Sequence, residues 1–243
     1  MRTQKPKENG IKYLESYIDE LRRSYDKSDK DKVEQAIEKL VDAYQTSNCR
    51  IYISNYINEI KKVLDNLDKD KIEQAIDMLM EAYRKGKKIF VMGNGGSASN
   101  ASHIACDLGK GTLSRVYDDH RRRFKVYSLT DNVALITAFG NDLSFEDIFV
   151  QQLRNLVEKD DVVIVLSGSG NSMNVVKAVN YAKKCAAKSI GFLGFKTGGQ
   201  LAKLVDCAII ANSNQYGPCE DVQLVLDHMI SQWIARLRLT DEN

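Results

Sequence analysis

Two short stretches rich in glycine and serine hold residue types suited to binding chemistry. Gly93-Asn94-Gly95-Gly96-Ser97-Ala98-Ser99 follows an apolar run and leads straight into a stretch of helical spacing. Glycines such as Gly95 and Gly96 let backbone amides approach a ligand. A helix start adds partial positive charge and Ser97 a hydroxyl, so the loop suits a phosphate or sugar oxygens. A lone cluster of this kind is equally well a tight strand-to-helix turn. A second loop of the same build, Ser167-Gly168-Ser169-Gly170-Asn171-Ser172, follows a later apolar run. Its three hydroxyls and helix start can surround a phosphate dianion without using a cation. Two such loops on neighbouring strands point to one ligand held between them. Neither has GxGxxG spacing or a GK[ST] ending, so no nucleotide cofactor is expected. Between them lies Thr130-Asp131-Asn132, whose side chains can cap the next helix or reach sugar hydroxyls.

The titratable residues add a second theme. Of three histidines, His103 stands four residues before Asp107 in the helical stretch after the first loop, so both project from one face. His228 lies in the last helical stretch, which is expected to open with Glu220 and Asp221. A carboxylate and an imidazole can move a proton between adjacent carbons and protonate a carbonyl oxygen, the requirement of aldose-ketose isomerisation. Two histidines with one or two carboxylates are equally a zinc set. A solvated or hydrogen-bonded role on an amphipathic helix is the plainer alternative for each. Glu220 and His228 are separated by about 80° around an ideal helix and about 12 Å along it, and Asp221 is better aligned with the histidine.

The elements that must position these groups follow from periodicity. Five apolar runs, KKIFVMG, RFKVYSLT, DVVIVLSG, KSIGFLGF and DCAIIAN, are expected strands. Helical stretches are expected near 98–108, 132–139, 145–157, 174–185, 199–204 and 220–237. The alternation predicts an α/β fold: a doubly wound, mostly parallel five-stranded sheet flanked by helices, with ligands at the carboxyl ends of its strands. Ahead of it lies an internal repeat. SYIDELRRSYDKSDKDKVEQAIEKLVDAY from Ser16 recurs without a gap as NYINEIKKVLDNLDKDKIEQAIDMLMEAY from Asn55. Each copy reads as an amphipathic helical hairpin, with Asp29 or Asp68 capping its second helix. The expected division is an extra amino-terminal hairpin at 1–47 and a main domain at 48–243 that includes its own hairpin.

Composition sets limits on the partners. With 35 basic and 33 acidic residues mixed along 243, the net charge is +2 and neither nucleic acid nor membrane is an expected partner. Five widely spaced cysteines without a CxxC pair fit reduced thiols, hence a cytoplasmic location. The start lacks a signal-peptide core, and no apolar run approaches the roughly 18 residues of a membrane helix. His120 with Arg121, Arg122 and Arg123 is read as a solvated loop, with attraction of an anionic substrate as the alternative.

Read in order from about Tyr52 to Trp233, the segments GNGGSAS, SHIACDL, LTDN, AFGNDLSFEDIF, SGSGNSMNV, TGGQLAKL and EDVQLVLDHMI resemble the sugar isomerase (SIS) domain family. Within it they resemble the phosphoheptose isomerases, which interconvert sedoheptulose 7-phosphate and D-glycero-D-manno-heptose 7-phosphate. The resemblance implies that Ser167, Ser169 and Ser172 bind the sugar phosphate and that Asn94, Ser97 and Asp131 contact the sugar chain. It places His103, Asp107, Glu220 and His228 at zinc positions, and Asp107 and His228 at the acid/base positions. It also implies a homotetramer with sites at subunit interfaces. The chain departs from the family in having Asp107 for Glu, Glu220 for Gln and Gly168 for Thr, and the first hairpin has no counterpart. The alternative expectation is a non-catalytic SIS domain that binds a sugar phosphate or a protein partner in regulation. The changes at 107 and 220 favour that alternative, and retention of both histidines disfavours it.

Overall fold

The computed structural model describes residues 49–113 and 122–240, together with Glu34, Ile37, Glu38 and Val41. The first copy of the repeat, with its Asp29 cap, and the His120-Arg121 part of the basic run lie outside the described residues apart from those four positions. Two compact units divide between Ile57 and Asn58, inside helix α1 (Cys49–Asp65). The second unit carries the sheet.

All five apolar runs form strands: β1 (Lys88–Gly93), β2 (Lys125–Ser128), β3 (Val162–Ser167), β4 (Lys188–Leu193) and β5 (Cys207–Ile210). Every pairing is parallel and the order is β2-β1-β3-β4-β5. In β3 all six residues are buried, as a β-branched run covered on both faces requires. Side chains alternate between the two faces. Ile89 and Val91 of β1, with Val162, Ile164 and Leu166 of β3, pack in one layer against α2 (Lys69–Lys85), α3 (Gly96–Cys106) and α8 (Tyr216–Thr240). Phe90, Met92, Val163 and Val165 face the opposite layer, which holds α5 (Ile148–Leu156), α6 (Met173–Lys184) and α7 (Leu201–Leu204). Helix α4 (Val133–Asp142) lies on that same side and has no buried residue, although Ile136 and Phe139 pack partly against the core.

Helix α2 follows its sequence signals closely. The Asp68 side chain accepts from the Lys71 amide, and Gly86 closes the helix at φ 66°. Of the apolar residues at helical spacing, Ile72, Ile76, Leu79 and Tyr83, the middle two are buried, whereas Ile72 and Tyr83 pack at the edge of the core.

Two helix ends differ from expectation. The stretch expected at 98–108 starts at Gly96 and widens at Asp107 into a π-helical turn, Asp107–Gly111. The last helix starts at Tyr216, a turn earlier than the expected 220, because Pro218 lies in the first turn, where its missing N–H has no intrahelical acceptor to lose. Near the other end of α8, buried Arg238 donates to the Thr112 carbonyl at 3.0 Å, the Thr112 hydroxyl at 2.9 Å and the Arg122 carbonyl at 2.7 Å. Its guanidinium lies 4.7 Å over the Tyr83 ring, so the turn after α3 and the approach to β2 are pinned to α8. Among the described residues no helix is long and apolar enough to cross a membrane.

Candidate functional site

The chain leaves β1 for β2 on one side of the sheet and β3 for β4 on the other, so β1 and β3 flank the point where the strand order reverses. A crevice opens at such a switch point beyond the carboxyl ends of the strands. Both glycine/serine loops follow these two paired strands, and Gly93 sits opposite Leu166. A cavity of about 310 Å³ lies between them and brings together Asn94, Gly95, Ser97, Ser167, Ser169, Ser172 and Glu220, with Gly168 and Tyr216. Its size and polar lining suit a small, multiply hydroxylated anion.

The hydroxyls differ in how far they are committed. Ser167 accepts from the Gly170 amide at 3.0 Å and Ser169 from the Asn171 amide at 3.3 Å, so both also shape the loop. Ser172 is the N-cap residue of α6, yet its side chain makes no capping bond; Asn174 Oδ1 takes the Val175 amide at 2.9 Å instead. The Ser172 hydroxyl and the first α6 amides, those of Met173 and Asn174, are thereby left for a ligand. Ser97, expected to contact the sugar, is buried and donates to Gln223 Oε1 at 3.0 Å. Asn94 and Asn174 join the two loops by reciprocal amide bonds of 2.9 and 2.8 Å.

Three glycines mark close approaches. A side chain at Gly170, where φ is +64°, would overlap the Gly198 carbonyl, so the β3 loop rests backbone to backbone on the loop after β4. A Cβ at Gly168 would come within 2.9 Å of the Tyr216 ring, so the threonine usual in the family does not fit beneath this tyrosine. At Gly96 an added Cβ would overlap the Glu220 carboxylate, which lies against the start of α3, where the helix dipole favours negative charge. Asn100 holds the same corner by donating to the Glu220 carbonyl at 2.9 Å.

Farther along α3 stands a second group. His103 Nε2 and His228 Nε2 are 3.1 Å apart. Asp107 Oδ2 lies 3.7 Å from the first and 3.8 Å from the second, and Asp227 Oδ2 lies 3.9 Å from His103 Nε2. One ligand atom from each of these four residues falls within 4.8 Å of the other three. The histidines are about half exposed, whereas Asp227 is only 3% exposed and its Oδ2 has no hydrogen-bond partner. Burial, with the Asp107 charge as a smaller contribution, pushes the Asp227 carboxyl up to about 7. A shielded, unpartnered carboxylate oxygen facing two imidazoles and a second carboxylate fits a divalent cation such as zinc.

The structure therefore brings His103, Asp107 and His228 together, as their types and spacing suggested, and leaves Glu220 out. Glu220 sits at the glycine loop, two turns back along α8, and the carboxylate that joins the histidines is Asp227. The physical reason is the regular helix, on which a position eight residues earlier is about 12 Å away. Asp221, better aligned by angle, is exposed and also outside the group. Asp131 accepts from Ser102 and, at 3.3 Å, from Thr130, which holds it beside the middle of α3 and not among the cavity's lining residues. Sequence reasoning missed Asp227, Gln223, Asn100, Asn174 and Tyr216. For Asp227 a signal existed: it falls within the stripe Cys219, Val222, Leu226, Ile230, Ile234 that α8 buries.

Known proteins share this pattern. The SIS domain family matches residues 55–194. The phosphoheptose isomerase of a Nitratiruptor species is 39% identical over 148 residues, 61% of this chain and 76% of the relative. The chain belongs to the SIS domain family, on its phosphoheptose isomerase branch. A second phosphoheptose isomerase, from Geotalea daltonii, is 39% identical over 60% of this chain and 70% of its own length. The solved SIS structure of a phosphoheptose isomerase from Francisella tularensis superposes with a TM-score of 0.68 at 28% identity, covering 76% of this chain and 95% of that one. GmhA from Neisseria gonorrhoeae gives 0.66 at 27%, covering 75% and 94%.

Proposed function

We propose that the protein is an aldose-ketose isomerase that converts sedoheptulose 7-phosphate to D-glycero-D-manno-heptose 7-phosphate through an enediol. The observation that carries this reading is the placement of two chemistries along one helix. The phosphate-suited cavity lies at the start of α3, and His103 with Asp107 stands about two turns on, roughly 9 Å along the axis. In sedoheptulose 7-phosphate the phosphate and the reacting carbons C1 and C2 occupy opposite ends of an extended chain, so anchoring one end presents the other to the histidine/aspartate group.

In this reading the Ser169 and Ser172 hydroxyls, the Ser167 loop and the α6 amides hold the phosphate, while Asn94, Gly95, Gly96, Ser97, Asp131 and Glu220 serve the sugar chain. Asp107 takes the proton from C1 and returns it at C2, and His228 exchanges a proton with the carbonyl and hydroxyl oxygens. His103, Asp107 and His228 are the residues that would hold zinc, and the metal would supply Lewis-acid polarisation of the carbonyl. The short side chain of Asp107, which together with the change at Glu220 is the main support for a non-catalytic SIS domain, does not stop it from standing within 4 Å of both imidazoles. The same reading makes the protein a cytoplasmic homotetramer with 48–243 as its catalytic part. The apolar α4 region supports assembly, with Val133 67% and Phe145 62% exposed. Zinc-treated protein incubated with sedoheptulose 7-phosphate is expected to accumulate the aldose; binding of the ketose without conversion would contradict the proposal.

A further inference from the structure

We infer that the Tyr216 ring is the cavity wall that contacts the carbon chain of the substrate, so that the site selects a sugar phosphate over phosphate alone. The inference rests on the sugar-phosphate reading above and names the residue that sets its selectivity.

The first observation is the reason for a glycine at 168. At Gly170 and Gly199 a side chain would meet backbone atoms and φ is left-handed, so glycine is required there whatever side chains stand nearby. Gly168 has neither constraint. Its φ is not left-handed, and beyond its chain neighbours the only described atoms within 4 Å of an added Cβ are Cδ1 and Cε1 of Tyr216, at 2.9 and 3.1 Å. The tyrosine ring takes the space that a side chain at 168 would fill. The phosphate loop gives up a position for a donor to hold the ring there.

The second observation is that this ring is fixed without being core. Tyr216 is 59% exposed and lines the cavity of about 310 Å³, so burial does not account for it. The Tyr216 and Phe195 rings meet edge to face with centroids 5.1 Å apart, and Phe195 packs against the core from a left-handed φ of 51°. A phenylalanine adopts that conformation at a cost, and such strain clusters at ligand sites. A held, exposed ring at the rim of a polar cavity offers an apolar face to C–H groups. The serine hydroxyls and α6 amides supply the donors for the anion, which leaves the adjoining carbon chain as the partner of the ring. Tyr216 stands twelve residues before His228, about 18 Å along α8, too far to take part in proton transfer.

The test compares two ligands, sedoheptulose 7-phosphate and inorganic phosphate, by calorimetric titration of the full chain. Wild type is expected to hold the sugar phosphate more tightly than inorganic phosphate. Tyr216→Ala should weaken the sugar phosphate at least about tenfold, the scale of one lost aromatic contact, and inorganic phosphate less than about threefold. A ring that only braced the loop would weaken both alike. Tyr216→Phe keeps the ring and should keep the preference for the sugar phosphate. Gly168→Thr should displace the ring and lose that preference, and adding it to Tyr216→Ala should cost nothing more, because the space is then free. Equal losses for the two ligands in Tyr216→Ala, no loss for the sugar phosphate, a Tyr216→Phe loss as large as that of Tyr216→Ala, or additive losses in the double variant would overturn the inference. Tight binding of sedoheptulose 7-phosphate without conversion would contradict the isomerase and leave this inference standing. A wild type that holds the sugar phosphate no better than inorganic phosphate would overturn both.

Discussion

Ser172 stands at the N-cap of α6 without capping it, and Ser169 gives the loop only a long bond from the Asn171 amide. These two hydroxyls are the ones the fold can spare for an anion, whereas Ser167 is tied more firmly to Gly170. A hydrogen bond to a charged group contributes about 1.5–3 kcal/mol, so replacing Ser169 and Ser172 together with alanine should weaken sugar-phosphate binding by more than about a hundredfold. Calorimetric titration with the sugar phosphate reads this directly, and unchanged affinity would remove the loop from the site. At this scale the sequence was legible wherever side chains act within one element. The donors of both loops and the His103–Asp107 pair were predicted from spacing alone. Asp227 escaped because its place beside His103 is set by α3, a separate element packed against α8. Glu220 is a zinc position by resemblance alone, and on the regular α8 its carboxylate lies against Gly96 at the glycine loop, outside the histidine/aspartate group.

Elements carry the distances. Helix α3 separates the phosphate-suited end from the proton-transfer end, and the π-helical turn that begins at Asp107 sets where its carboxylate emerges. The loop after β3 is fixed by Gly170, whose left-handed φ of +64° and contact with the Gly198 carbonyl leave no room for a side chain. Gly170→Ala combines backbone strain of order 1–3 kcal/mol with a backbone clash, so it should lower the melting temperature and weaken phosphate binding together. An alanine variant with wild-type melting and affinity would show that the loop is not held this way. The strands were readable because each is a β-branched or aromatic run with period-two packing on two faces. The start of α8 was not, since Pro218 signals a break until its place in the first turn is known. The π turn depends on hydrogen bonding that periodicity does not report.

For the molecule as a whole, the sheet order matters most. Parallel strands were expected from the alternation of elements, but only the pairing of β1 with β3 makes the two loops neighbours. That is why two weak local signals become one cavity. The extra hairpin at 1–47 and the apolar α4 region belong to this scale too. A helix without a buried residue makes sense in an assembly, and solitary-chain periodicity does not reveal what covers it.

The central claim is that Asp107 and His228 move a proton on a sugar phosphate anchored by the serine loop. Turnover and affinity for sedoheptulose 7-phosphate, measured side by side for zinc-loaded wild type and Asp107→Asn, test it most directly. General acid-base groups contribute about 10²- to 10⁴-fold, so the account predicts a rate at least roughly 10²-fold lower with affinity changed only a few-fold. An Asp107→Asn protein that isomerises the sugar as fast as wild type would contradict it.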